Sequence, residues 1–130
     1  MGDGVVMDRN PLDRLYDAIT RGDAEGARAS CAPQAHFWHC FDGIARPLDE
    51  AVESWTQLFA GSASRGIRDV HRDPIPGGFV QRHFFTMTPP DGTPLTWAVC
   101  LIVRVDGGLI TRVDEYIDRK GFLPQPAAGR

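Results

Sequence analysis

The chain has 130 residues, 17 acidic against 14 basic side chains and a formal net charge of −3. A length of this order serves one domain with one core and needs no disulfide or metal staple. The mild acidity and scattered arginines exclude a nucleic-acid stripe and a polybasic membrane patch, and no apolar run is long enough to span a bilayer. Residues 1–9, rich in Gly and Asp, are expected to form a flexible arm, 10–119 a single domain, and the Pro- and Gly-containing stretch 120–130 a tail. The arm has no signal-peptide character, which places the protein in the cytoplasm. Cys31, Cys40 and Cys100 are odd in number and lack CxxC spacing, so they read as small buried thiols in a reducing compartment.

Asn10-Pro11 offers an N-cap followed by proline at the first helical position, and Leu12, Leu15, Tyr16 and Ile19 recur at helical spacing. Gly22 ends that helix. Asp23 caps a short second one through Ser30, which Pro33 is expected to stop. Ala35 to His39 reads as an aromatic-rich strand with Phe37 and His39 on one face and His36 and Trp38 on the other. Pro47, with Asp49 and Glu50 in the first turn, starts a third helix to Ala60, whose inner stripe is Val52, Trp55, Leu58 and Phe59.

From residue 66 the hydrophobic period changes from about 3.6 to 2. Ile67 to Arg72, Gly78 to Thr88, Leu95 to Val105 and Leu109 to Asp118 read as strands. Pro89-Pro90-Asp91-Gly92 and Asp106-Gly107-Gly108 are hairpin connections within an antiparallel meander. Helices first and strands after is an α+β pattern, with the helices covering one face of a curved sheet. On the last strand Val113, Glu115 and Ile117 share a face. If that face is the inner one, Glu115 is an acid in apolar surroundings, which favours proton transfer near neutral pH; the plain alternative is an edge strand with Glu115 in solvent. Arg104 and Arg112 are placed to pair across the last hairpin with Asp114, while Tyr116 and Asp118 fall on the outer face.

Specific residues add to this order of elements. Tyr16-Asp17-Ala18-Ile19 followed by Gly22-Asp23, the Phe37-Trp38-His39 strand, and Asp106-Gly107-Gly108-Leu109-Ile110 leading into Asp114-Glu115-Tyr116-Ile117-Asp118 resemble the nuclear transport factor 2-like superfamily. More closely, over about residues 11–119, the chain resembles its SnoaL-like branch, with polyketide cyclases, ketosteroid isomerases and limonene epoxide hydrolase. The resemblance implies a cystatin-like α+β roll: a cone-shaped, curved, mixed but largely antiparallel sheet wrapped around the N-terminal helices. It also implies a homodimer built on the convex sheet face.

Carried across residue by residue, the resemblance puts Glu115 where limonene epoxide hydrolase keeps a catalytic aspartate. That enzyme's arginine and second aspartate fall on Gln81 and His83 or, with a shift of one residue, on Arg82 and Phe84. The base aspartate of ketosteroid isomerase falls on His39, and its oxyanion-hole tyrosine on or beside Leu15, one position from Tyr16. The catalytic set expected is therefore Glu115 as base or water activator, His83 as its partner and His39 as a second acid or orienting group. Tyr16, Phe37, Trp55, Gln81, Trp97, Val113 and Ile117 are the expected substrate-binding residues.

Each histidine taken alone is more simply a satisfied structural side chain; three ionisable groups facing one apolar pocket favour ligand or proton chemistry. His36 and His71 read as surface or rim groups. A zinc site from His39, His83 and Glu115 lacks local ligand spacing, so neither metal nor cofactor is expected. The expected function is a pocket enzyme of isomerase, epoxide hydrolase or cyclase type acting on a small apolar cyclic molecule. The alternative is a non-catalytic ligand-binding or dimeric scaffold module of the same fold.

Overall fold

The computed structural model describes residues 9–118; the expected tail, and all of the expected arm but Arg9, lie outside the described residues. Helix α1 (Pro11–Arg21) begins where the sequence signals it. The Asn10 side chain accepts from the Leu12 N–H at 2.7 Å, a cap of the kind that contributes about 1 kcal/mol. Gly22 closes the helix at φ 72°, a left-handed conformation open to a residue without Cβ. From the sheet, Arg65 donates to the Ile19 and Thr20 carbonyls at 2.8 and 3.3 Å, answering the bare carbonyls and negative dipole end of the helix. Helix α2 (Ala24–Ala29) is capped by Asp23, which accepts from the Gly26 N–H at 2.9 Å.

Strand β1 (Cys31–His39) starts four residues before the expected Ala35. Pro33 therefore lies inside a strand rather than behind a helix. It sits within the irregularity between Cys31 and His36, where a missing N–H removes no regular ladder bond. The three-residue β2 (Ala45–Pro47), too short for any periodicity, pairs antiparallel with the end of β1. Helix α3 (Leu48–Ala60) follows. Strand β3 (Ser64–Ile75) outruns the expected 67–72 at both ends. It is an edge strand interrupted by a bulge between Arg68 and His71, with Asp69 at φ 56°, and such a strand shows little apolar alternation. Strands β4 (Gly78–Thr88), β5 (Leu95–Asp106) and β6 (Leu109–Ile117) complete the meander.

The strands form one six-stranded sheet in the order β2-β1-β6-β5-β4-β3. Every neighbouring pair is antiparallel except β1 with β6, which is parallel. The sheet is curved and unclosed, and bulges in β1, β3 and β5 supply local bending. The architecture is thus the α+β roll expected from the sequence. Leu12, Leu15 and Ile19 of α1 pack with Leu101, Val103 and Val113 of the sheet in one core. Leu12, Leu101 and Ile110 are under 2 % exposed, and burial of such side chains contributes about 1.5–3 kcal/mol each.

The expected pairing of Arg104 with Asp114 does not occur: Arg104 donates to the Pro76 carbonyl at 2.8 Å, and Arg112 alone meets Asp114, at 2.8 Å. In the register of this hairpin Arg104 lies opposite Arg112, and Asp114 opposite Ile102. No helix among the described residues is long and apolar enough to cross a membrane.

One close approach gives a direct stability test. A Cβ on Gly78 would stand 1.8 Å from the Val103 carbonyl oxygen, whereas one on Gly66 would meet nothing within 4 Å. Gly78→Ala is expected to destabilise by about 1–3 kcal/mol or more, and Gly66→Ala to be neutral or slightly stabilising. Urea unfolding of the two variants checks this; equal midpoints would contradict it.

Candidate active site

The parallel contact of β1 with β6 sets Phe37 opposite Val113 and His39 opposite Glu115. Just beyond, the Cys40 N–H donates to the Glu115 carbonyl at 3.0 Å. The Cys40 thiol donates to the Ile117 carbonyl at 3.5 Å and accepts from the Ile117 N–H at 3.4 Å. These bonds fasten the ends of the two strands. They leave His39 Nε2 3.3 Å from Glu115 Oε1, with the two side chains 27 % and 22 % exposed. The His39 ring also stacks on Phe41, centroids 5.0 Å apart.

Both groups look into a cavity of about 660 Å³ enclosed between the helices and the concave face of the sheet. That volume lies within the range of small-molecule sites. Tyr16 enters from α1, Trp55 from α3, Phe85 from β4 and Trp97 from β5. Phe37 meets Trp55 edge to face at 5.3 Å, and Phe85 lies near-parallel to Trp97 at 6.3 Å. Rings in such contacts hold one another in place and make a stiff apolar wall. Burial, and secondarily the charge of Glu115, pushes the Tyr16 phenol well above its ordinary value. Tyr16 therefore keeps its proton at neutral pH and remains a hydrogen-bond donor.

The exposed Phe41, Asp42 and Ser54 mark the cavity mouth. Arg46 holds Asp42 there at 2.9 Å. The Ile44 N–H, and then Arg46, keep the Asp42 carboxyl below its usual value. Asp42 is thus an anion fixed at the rim.

Of the residues singled out in the sequence, Glu115, His39, Tyr16, Phe37, Trp55, Trp97, Val113 and Ile117 all line this cavity. Gln81 and His83 do not. They point inward from β4, with Arg82 on the opposite, exposed side, but are 1 % and 3 % exposed and sealed behind Tyr16. His83 is consequently not the partner of Glu115. β5 separates β4 from β6, which puts the two backbones about 10 Å apart, whereas His39 is on the adjoining strand. The Gln81 amide nitrogen meets His83 Nδ1 at 3.1 Å, and Arg72 donates to the Gln81 oxygen at 2.6 Å. Desolvation pushes His83 down to about 4.

Phe41, Asp42 and Arg46 at the mouth, and Asp13 and Arg72 behind Gln81, were not among the sequence candidates. Asp13 lies three residues from Tyr16, one helical step along the same face. That spacing was the available signal. Among the described residues, no three His, Cys, Asp or Glu side chains form a metal-holding group. The thiol of Cys31, in contact with the core, is pushed up to about 12 by burial.

A curved, open sheet with helices packed against its concave face is the nuclear transport factor 2-like fold. Residues 12–113 match the SnoaL-like domain family, and the chain belongs to that family. No curated protein matches it in sequence. Among solved structures, a candidate polyketide cyclase from Xanthomonas campestris pv. campestris is 16 % identical with a TM-score of 0.73, over 85 % of this chain and 89 % of that one. An LEH-like epoxide hydrolase of M. tuberculosis is 14 % identical with a TM-score of 0.66, over 83 % and 80 %. A protein of ketosteroid isomerase-like fold from Catenulispora acidiphila, in complex with trimethylamine, is 11 % identical with a TM-score of 0.71, over 82 % and 83 %. At these identities the likeness is one of fold.

The buried His83 makes a pH prediction possible. His83 is held near 4 in the fold against about 6.5 in the unfolded chain. Between those values the unfolded chain binds the extra proton, so stability is full above pH 6.5 and declines as pH falls towards 4. The contribution at stake is about 3 kcal/mol. Urea midpoints of the wild type should fall over this window more steeply than those of His83→Gln; parallel profiles would refute the assignment.

Proposed function

We propose that the protein is a general acid/base enzyme acting on a small apolar ring compound that carries an oxygen, of the terpenoid, steroid-like or polyketide kind. The observation that carries this reading is the His39–Glu115 pair, 3.3 Å apart on the wall of an aromatic cavity. Glu115 takes a proton from the ligand or from an attacking water, and His39 shares and returns it. A carboxylate and an imidazole within hydrogen-bond reach form an acid/base unit, with a usual effect of about 10²–10⁴ in rate. Tyr16 donates its phenolic hydrogen to the ligand oxygen, where charge builds during the reaction. The stiff ring wall orients the carbon skeleton.

This set of roles suits ring isomerisation through an enol, addition of water to an epoxide, or closure of a β-keto chain. The names of the structural neighbours, a polyketide cyclase and an epoxide hydrolase among them, support the same range. The test is a screen of cyclic enones, epoxides and β-keto esters across pH, followed by variants at the pair. Glu115→Gln should lower kcat about 10²–10⁴-fold while melting temperature and ligand affinity stay near wild type. His39→Gln should lower kcat with little change in KM. Turnover that survives Glu115→Gln would sink the assignment. Ligand binding without any turnover would favour the non-catalytic binding module instead.

A further inference from the structure

The polar chain behind Tyr16 has a direction that the identities of its members dictate. Arg72 donates from Nη2 and Nη1 to the Asp13 carboxylate at 2.6 and 3.4 Å, and from Nε and Nη2 to one Gln81 atom at 2.9 and 2.6 Å. A guanidinium only donates, so the Gln81 atom it faces is the amide oxygen, and the amide nitrogen is turned to His83 Nδ1. An amide nitrogen also only donates. Nδ1 of His83 therefore accepts, and the single proton of the neutral ring resides on Nε2. With the proton on Nδ1, two donors would stand head to head at 3.1 Å.

The spacing of the two elements carries this order to the cavity. Asp13 and Tyr16 are three apart on α1, and Gln81 and His83 are two apart on β4, so each pair lies on one face of its element. The first rung is Asp13 to Gln81 through Arg72. The second is Tyr16 against His83, edge to face with centroids 4.9 Å apart. His83 Nε2 is buried and has no hydrogen-bond partner among the described residues. The hydrogen bond at Nδ1 and the Tyr16 ring orient it.

We propose that Asp13, Arg72 and Gln81 form a relay that locks His83 in the Nε2–H tautomer and, through the His83 ring, positions Tyr16 at the cavity wall. The relay starts at a partly exposed ion pair, Asp13 with Arg72, and ends on a phenol that faces the ligand space. Its members are positioning residues; Tyr16 alone touches what the cavity holds. The importance of the relay for ligand chemistry rests on the reading of Tyr16 as the ligand-facing donor, but its existence does not.

The test uses the ¹⁵N-labelled full chain. Long-range ¹H–¹⁵N correlation of the histidine rings should show His83 with a protonated Nε2 and an acceptor Nδ1, unchanged from about pH 5.5 to 8.5. Gln81→Leu should give a mixture of tautomers, and Gln81→Glu, whose carboxylate only accepts, should move the proton to Nδ1. The chain has two tyrosines, so a Tyr116→Phe background isolates Tyr16 in an ultraviolet titration. There, Gln81→Leu should bring the Tyr16 phenol down towards the ordinary value of about 10. A general loss of stability, which by exposing Tyr16 would also lower its titration, would not produce the tautomer inversion. Should Gln81→Leu fail to fold, the wild-type spectrum and the milder Arg72→Lys decide the point. A wild-type His83 protonated on Nδ1, or titrating within that pH window, overturns the proposal. So does an unchanged Tyr16 titration in a folded Gln81→Leu. None of these readouts needs turnover, so an inactive protein with a locked His83 would remove the catalytic reading and leave the relay standing.

Discussion

The parallel pairing of β1 with β6 is the constraint on which the rest of the molecule depends. It joins residues about eighty apart in the chain, Cys31 with Ile110 and His39 with Glu115, and thereby ties the helical first half to the strands of the second. Without it, the meander from β3 to β6 is an open antiparallel ribbon with helices packed against one side. With it, β1 joins the curved sheet, and the concavity acquires a wall on the side of His39 and Glu115. Contacts this distant are entropically expensive to close. Here the closure is held at the strand ends by backbone bonds and by the Cys40 thiol, which meets the Ile117 backbone, rather than by any covalent link.

The same sheet treats its two inner histidines oppositely, and the reason is position rather than residue type. His39 stands at the end of β1 beside a carboxylate and in reach of the cavity. His83 stands in mid-strand under α1, where desolvation keeps it neutral and an amide takes the place of a charge. A buried ring of that kind is tolerated because every other polar atom in its chain has a partner of the correct sense, down to the guanidinium of Arg72. Replacing any one member by a group with the wrong donor or acceptor character leaves a buried mismatch, which is the expensive outcome in a low-dielectric interior.

Local rules in the sequence carried far. The Asn10-Pro11 start, the Gly22 stop and the Asp23 cap are each decided by atoms within four residues, and all three stand in the structure as read. The alternation set Val113, Glu115 and Ile117 on one face without saying which way it turned, and the cavity lining shows that face to be the inner one. What stayed hidden depended on distance in the chain. The early start of β1 needs the partner strand some eighty residues on, and its proline is readable as a strand residue only once the irregularity is seen. The length of edge strand β3 is set by pairing, not by its own pattern. His83 was legible as inward-facing, but its partners come from α1 and β3, and strand order alone decides that Glu115 is out of its reach.

Helix α1 is what converts this arrangement into two distinct interiors. On one side of Tyr16 lies the polar chain, buried at Gln81 and His83 and reaching the surface at Asp13; on the other lies the aromatic cavity with Glu115, whose charge is felt at the phenol. Tyr16 belongs to both, its ring held by His83 and its hydroxyl kept protonated by burial and by a negative neighbour. The Tyr16 ring is thus backed by His83 on one side and lines the cavity on the other, an arrangement built from a helix step of three and a strand step of two that meet in register.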